Sequence, residues 1–161
     1  MAICPPTEPP SGGEEARDWC MRLVHVQGFP SVLGRGRALL LASGEVAYAA
    51  ATVVVLQGRS GASDADGGLR AQRFFTRHGQ VVQALAAHPD GERVASSEGF
   101  EAGGGRVFVW HAESLTVLAT VVSRAGPVGV LAFSQRTGSK LLTVCNSAAH
   151  HPVAVWDWQK Q

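Results

Sequence analysis

A spacing of 46 residues constrains this chain more than any other feature of it. Leu85 and Leu131 stand 46 positions apart, and so do Trp110 and Trp156. Around those anchors whole segments match in order. Val82-Gln83-Ala84-Leu85-Ala86 is echoed by Val128-Gly129-Val130-Leu131-Ala132-Phe133, Arg93–Ser96 by Leu141–Val144, and Val107-Phe108-Val109-Trp110 by Val153-Ala154-Val155-Trp156-Asp157. Each run is short and either alternating or rich in β-branched residues, so each reads as a strand. Leu115–Val122 reads as one more. In the first copy, His88-Pro89-Asp90-Gly91 and Gly103-Gly104-Gly105 supply turns between the runs. Two independent anchors sharing one offset indicate a duplicated multi-stranded unit. A repeat of about 40–45 residues with four strands and a Trp-Asp ending is the pattern of a β-propeller blade. It predicts an all-β fold.

The residues before the repeats point the same way. Leu23–Val26 reads as a strand ended by Gly28-Phe29-Pro30. Arg37–Leu41, Val46–Ala50, Thr52–Leu56 and Arg73–Phe75 read as further strands, with a turn at Ser43-Gly44. Gln57–Leu69 is a Gly/Ser/Asp/Ala stretch without periodicity and is expected to be a long loop. Met1–Arg17 holds four prolines and no apolar stretch, so it lacks the apolar core of a signal peptide and is expected to be disordered. Ala38–Leu56 is nearly apolar and approaches the ~20 residues of a membrane span. Ser43-Gly44-Glu45 interrupts it, and an acid at that depth costs about 2.5–3.5 kcal/mol. Strand–turn–strand is therefore the expected structure there.

Charge and motif content narrow the function classes. The 161 residues carry 14 basic and 13 acidic side chains, a formal net charge of +1, which gives no basic stripe for a nucleic acid. Arg22, Arg35 and Arg37 form the one noticeable basic cluster, suited to a solvated edge or an acidic protein surface. Cys4, Cys20 and Cys145 make an odd count with no C-x-x-C pair, which fits free thiols in a reducing compartment. His25, His78, His88, His111, His150 and His151 show no metal-ligand spacing and read as structural or solvent-facing side chains. Gly34-Arg35-Gly36 lacks a third glycine, and Gly58–Gly68 lacks the Lys-Ser/Thr of a phosphate loop. Neither G-x-S-x-G nor H-E-x-x-H occurs. Asp64, Asp66, Asp90 and Asp157 are scattered, Asp90 within a turn and Asp157 expected to bond turn amides. Trp110, Trp156 and Trp158 end strands and are expected to pack between blades. No catalytic, cofactor-binding or metal-ligating residue is singled out, no cofactor is expected, and the chain reads as a non-enzyme.

At this point the residues resemble a known family. VAVWDWQKQ (Val153–Gln161) is similar to a WD-repeat ending, and HGQVVQALAAHPDGERVAS (His78–Ser96) to a WD-blade opening. The stretch from Leu23 to Leu56, with the glycine after LVHVQ, the turn ASGEVAY and the run ATVVVL, resembles the hydrophobic "HELP" segment of the echinoderm microtubule-associated protein-like family. The resemblance covers about residues 22–161 and departs from the pattern in three places. Only Gly28-Phe29 remains of the usual Tyr-Gly-Tyr-Arg-Gly start, the opening Gly-His pair is inverted as His78-Gly79, and His111 replaces an Asp. In WD blades such His and Asp residues join a network that locks the turns, so the first copy is expected to be the weaker one.

The resemblance implies a partial WD-repeat β-propeller, HELP-like strands plus two blades. It divides into a disordered lead (1–20), a HELP-like segment (21–76, with loop 57–69), a first WD repeat (77–122) and a second one cut short at its end (123–161). It implies a cytoplasmic, cytoskeleton-associated scaffold that binds tubulin or microtubules, or a WD scaffold of ciliary, spindle-pole or signalling complexes without tubulin contact. Neither nucleic acid nor membrane is implied as a partner. Repeat units do not bury their faces alone. The remaining blades of a longer parent chain are therefore expected as partners, and an isolated chain is expected to self-associate.

Overall fold

The computed structural model of the chain describes residues 23, 25, 26, 28, 38–58, 71–99, 104–146 and 151–160. Among them are eleven strands and no helix. They form three antiparallel sheets with the strands of each in chain order. The first sheet holds β1 (Ala38–Leu40), β2 (Val46–Ala50), β3 (Val53–Gln57) and β4 (Gln72–Phe75). The second holds β5 (Val82–Ala87), β6 (Arg93–Gly99), β7 (Gly105–His111) and β8 (Val117–Ser123). The third holds β9 (Val128–Phe133), β10 (Leu141–Cys145) and β11 (Val153–Trp156). The all-β fold of propeller-blade sheets is thus the one the repeat predicts. The nearly apolar segment 38–56 folds as β1, a turn, β2 and β3.

Successive residues of a strand face opposite sides, and the middle sheet, buried on both, serves two cores. Towards the first sheet it presents Val82, Leu85, Val94, Phe108 and Trp110, which meet Leu41, Ala47, Ala49, Val54, Leu56 and Phe75. Towards the third it presents Ala84, Ala86, Ala95, Val107, Val109, Ala119 and Val121, against Val128, Leu131, Phe133, Leu141 and Trp158. Aromatic rings hold both joints. Phe75 stacks on Trp110 with centroids 4.3 Å apart, and the His88 ring meets Phe133 edge-on at 5.0 Å.

Two expectations change. Leu23, His25 and Val26 lie outside any strand. Instead Val26 is tied through its backbone N–H and C=O to the Gln72 side chain, at 2.7 and 3.1 Å. The strand expected over Arg93–Ser96 runs on to Gly99, carrying Glu98 into the interior. Residues 1–20, most of the loop 57–69, Arg22, Arg35, Arg37, Cys4, Cys20, Gly34, Gly36, Asp64, Asp66 and His150 lie outside the described residues.

Candidate functional site

The most chemically suggestive arrangement in the chain is a Ser–His–Glu constellation where the middle sheet begins. Ser96 and Glu98 sit two apart on β6 and so share a face. His78 lies in the segment leading into β5. His78 Nε2 is 2.7 Å from Ser96 Oγ, and its Nδ1 is 3.4 Å from Glu98 Oε2. Trp110 on β7 donates its indole N–H to Ser96 Oγ at 3.0 Å. An indole only donates, and the carboxylate beside Nδ1 favours the proton on that nitrogen, which leaves Nε2 of the neutral ring as an acceptor. Trp110 gives its proton to Ser96, the Ser96 hydroxyl donates to Nε2, and the Nδ1 proton faces the Glu98 carboxylate. Burial holds His78 below its ordinary pKa, against the pull of Glu98, so the ring stays neutral at pH 7.

The geometry has the order of a nucleophile triad, yet its accessibility is that of a lock. Ser96 is 0% exposed and Glu98 1%, and the Ser96 oxygen already accepts the Trp110 indole. Glu98 also accepts the backbone N–H groups of Gly79 and Gln80 at 2.7 and 3.0 Å, and Arg106 reaches its other oxygen at 3.3 Å. The carboxylate therefore pins the turn that leads into β5.

This reverses the expected order of strength between the two repeats. His78 joins the network despite the inverted His78-Gly79 pair, and Glu98 supplies the acid. In the second repeat, Trp156 donates to Thr143 Oγ1 at 2.9 Å, but Arg124, which stands 46 residues after His78, is a cation with no acceptor atom. The first copy is the more fully locked. His111 also has a structural use, since its Nδ1 accepts the N–H of Glu113 at 3.3 Å within the β7–β8 turn. Asp157 departs from expectation, because its carboxylate meets the ammonium groups of Lys140 and Lys160, at 2.7 and 3.6 Å. The Lys140 hydrogen bond is the main cause of its lowered pKa.

The other histidines and tryptophans are placed as structural groups. His88 Nδ1 lies 2.9 Å from Asp90 Oδ1 in the β5–β6 turn. Burial pushes the Asp90 carboxyl up, but the N–H groups of Glu92 and Arg93, with His88, outweigh it and leave its pKa low. Trp158 is buried and donates to Gly138 O at 2.7 Å, while Trp156 is half-buried. His151 Nδ1 is 3.3 Å from Cys145 O, and Cys145 is a buried free thiol beside Ser123. No group of three or more metal-ligating side chains occurs among the described residues.

One surface feature escaped the sequence reading. A cleft of about 420 Å³ opens between the first two sheets, lined by Ser43, Glu45, Arg73, Glu92, His111 and Glu113 among others. Arg73 holds it together. It grips both Glu45 oxygens, at 2.9 and 2.7 Å, and crosses to the carbonyl of Glu113 at 2.7 Å. Burial raises the pKa of Glu45, but Arg73 and Ser43 more than offset this and leave it lowered. These residues come from three turns and two strands far apart in sequence, so no local motif announces the cleft.

With this geometry in place, similarity to known proteins decides the relationship. No family model matches the chain. It is 36% identical over 145 residues to human echinoderm microtubule-associated protein-like 3, which covers 85% of this chain and 16% of that protein. It is 33% identical over 150 residues to echinoderm microtubule-associated protein-like 4 of Xenopus laevis, covering 88% of the chain. The human echinoderm microtubule-associated protein-like 1 matches at 30% over 153 residues. The chain is a homologue of the echinoderm microtubule-associated protein-like family. It spans about a sixth of the length of these relatives. The three blade-like sheets are the structural counterpart of that relationship.

Proposed function

We propose that this chain is a non-enzymatic WD-type scaffold that acts at microtubules, within the cytoplasm and associated with the cytoskeleton. The observation that carries the reading is the 36% identity to a protein named as microtubule-associated, over 85% of the chain. The locked Ser96–His78–Glu98 network supports the non-enzymatic part, because its hydroxyl is sealed from any substrate. We divide the chain functionally into a HELP-like unit (21–76) and two WD repeats (77–122 and 123–161), with 1–20 as a lead. Co-sedimentation with polymerised tubulin tests the proposal. The chain is expected in the microtubule pellet, with binding weakened by salt. Recovery in the supernatant at every tubulin concentration contradicts direct binding.

A second reading has its own support. Tubulin-like acidic surfaces call for available cations, and three of the described arginines, Arg73, Arg93 and Arg106, are instead each paired with a carboxylate. A scaffold that meets other proteins of a ciliary, spindle-pole or signalling complex needs no such cations. The cleft at Glu45, Arg73, Glu92 and Glu113 suits a polar protein contact. In that case the pellet stays empty while a cleft substitution such as Glu92→Lys alters capture of protein partners from a cell extract.

A further inference from the structure

A second groove, of about 580 Å³, shares no residue with the acid-lined cleft. Phe108, Leu115 and Val117 form its apolar part, and Arg77, Ser114 and Thr116 its polar part. The apolar part is continuous with the core between the first two sheets, since Phe108 belongs to that core and Leu115 and Val117 pack against it. Leu115 takes a left-handed backbone, with a φ of +57°. That conformation is rare for a bulky residue, and here it keeps an aliphatic side chain in the groove. The same face runs on along β8. The register sets Thr120 opposite Phe108 and Val122 opposite Arg106, and cross-strand partners lie on one side of a sheet. Both are exposed, Val122 at 53%. β8 is the outermost strand of its sheet, so one of its edges carries no strand among the described residues.

The polar groups of this groove are unengaged. Unlike Arg73, Arg93 and Arg106, the exposed Arg77 meets no carboxylate among the described residues. The Ser114 and Thr116 hydroxyls have no partner there either. No acidic side chain lines the groove. Nor does the blade frame require the cation. The repeat counterpart of Arg77, 46 residues further on, is Ser123, which is buried and bonded to Cys145.

We propose that this groove binds an extended acidic segment of a partner protein. One Asp or Glu pairs with Arg77, and an apolar side chain two residues away, on the same face of the extended segment, covers Phe108, Leu115 and Val117. The Ser114 and Thr116 hydroxyls bond the segment's backbone. Charge selects this groove over the first cleft, where Glu45, Glu92 and Glu113 repel such a ligand. The assignment holds whether or not the chain meets microtubules. An exposed ion pair over a shallow apolar strip gives a weak complex, with a Kd on the order of 0.1 mM.

Fluorescence anisotropy of a labelled peptide, acetyl-Ser-Glu-Ser-Leu-Ser-Glu-Ser-amide, titrated with the full chain tests the proposal. Saturable binding is expected. Arg77→Gln and Thr116→Glu, both at exposed positions, are each expected to raise Kd at least about fivefold, with an unchanged urea midpoint. Replacing both peptide glutamates by glutamine has the same effect. Arg136→Gln, at an exposed arginine in the β9–β10 turn, leaves Kd as it was. Absence of binding up to about 1 mM overturns the proposal. So does equal weakening by Arg136→Gln, which would mean diffuse charge attraction, or an unchanged Kd in Arg77→Gln. A phosphoserine peptide binding at least about tenfold more tightly would reassign the groove to phosphate and equally overturn it.

Discussion

Ser96 is the side chain on which the middle sheet's interior depends most. Its hydroxyl is at once the acceptor for the Trp110 indole and the donor to His78, and all three are buried. Ser96→Ala leaves two buried polar atoms without partners, at a cost of about 2–4 kcal/mol, read as a lower urea midpoint with an unchanged slope. Proton linkage gives an independent handle. Burial lowers the His78 pKa from 6.5, so the unfolded chain takes up the proton first on acidification. Unfolded protein then binds more protons than folded, and stability falls with pH. The contribution is complete above pH 6.5 and is lost progressively as pH drops towards the depressed folded value. Urea melts between about pH 5 and 8 should show this decline, and His78→Gln should flatten it while lowering stability throughout. The network was only half readable beforehand. His78 and Trp110 stand out by type, but Glu98 joins them because β6 runs three residues past its apolar stretch. A carboxylate two positions after a buried serine was the available signal, since a buried acid needs partners.

The strands themselves were the most readable part, because a half-buried strand writes its alternation into the sequence while a turn writes in Gly, Asp and Pro. Ten of the strands were placed to within about two residues by those signs alone. What the pattern did not reveal is how sheets meet, since that depends on contacts between distant turns. Gly91 shows the point. It ends the HPDG turn with a φ of +72°, and a Cβ there would stand 2.6 Å from Ala42 Cβ in the first sheet. Its carbonyl accepts the Ala42 N–H at 3.1 Å. Gly138 does the same service at the next joint, where its φ is +64° and a Cβ would overlap the His88 ring. Both turn glycines are therefore needed for left-handed backbone and for close approach. Gly91→Ala and Gly138→Ala are each expected to cost about 2–4 kcal/mol, from backbone strain and overpacking together. His88→Ala in the Gly138→Ala background removes the overlap and should recover part of the second loss but none of the first. Thermal melts of the four variants decide this, and equal behaviour of both backgrounds would refute the assignment.

Stacked sheets are stabilised by their neighbours, so stability along the chain should follow how many faces each sheet has covered. The second sheet is covered on both sides and holds the His78–Ser96–Trp110–Glu98 network. The third is covered on one side only. It also has three strands where the others have four, which leaves one edge of β11 without a strand partner among the described residues. That edge lacks the inter-strand bonds that β8 gives β7. Amide hydrogen exchange reports such differences as local opening free energies. In dilute chain, amides of β6 and β7 are expected to exchange slowest, at the rate of global unfolding, and those of β11 fastest. Equal exchange rates in all three sheets would refute the nearest-neighbour picture.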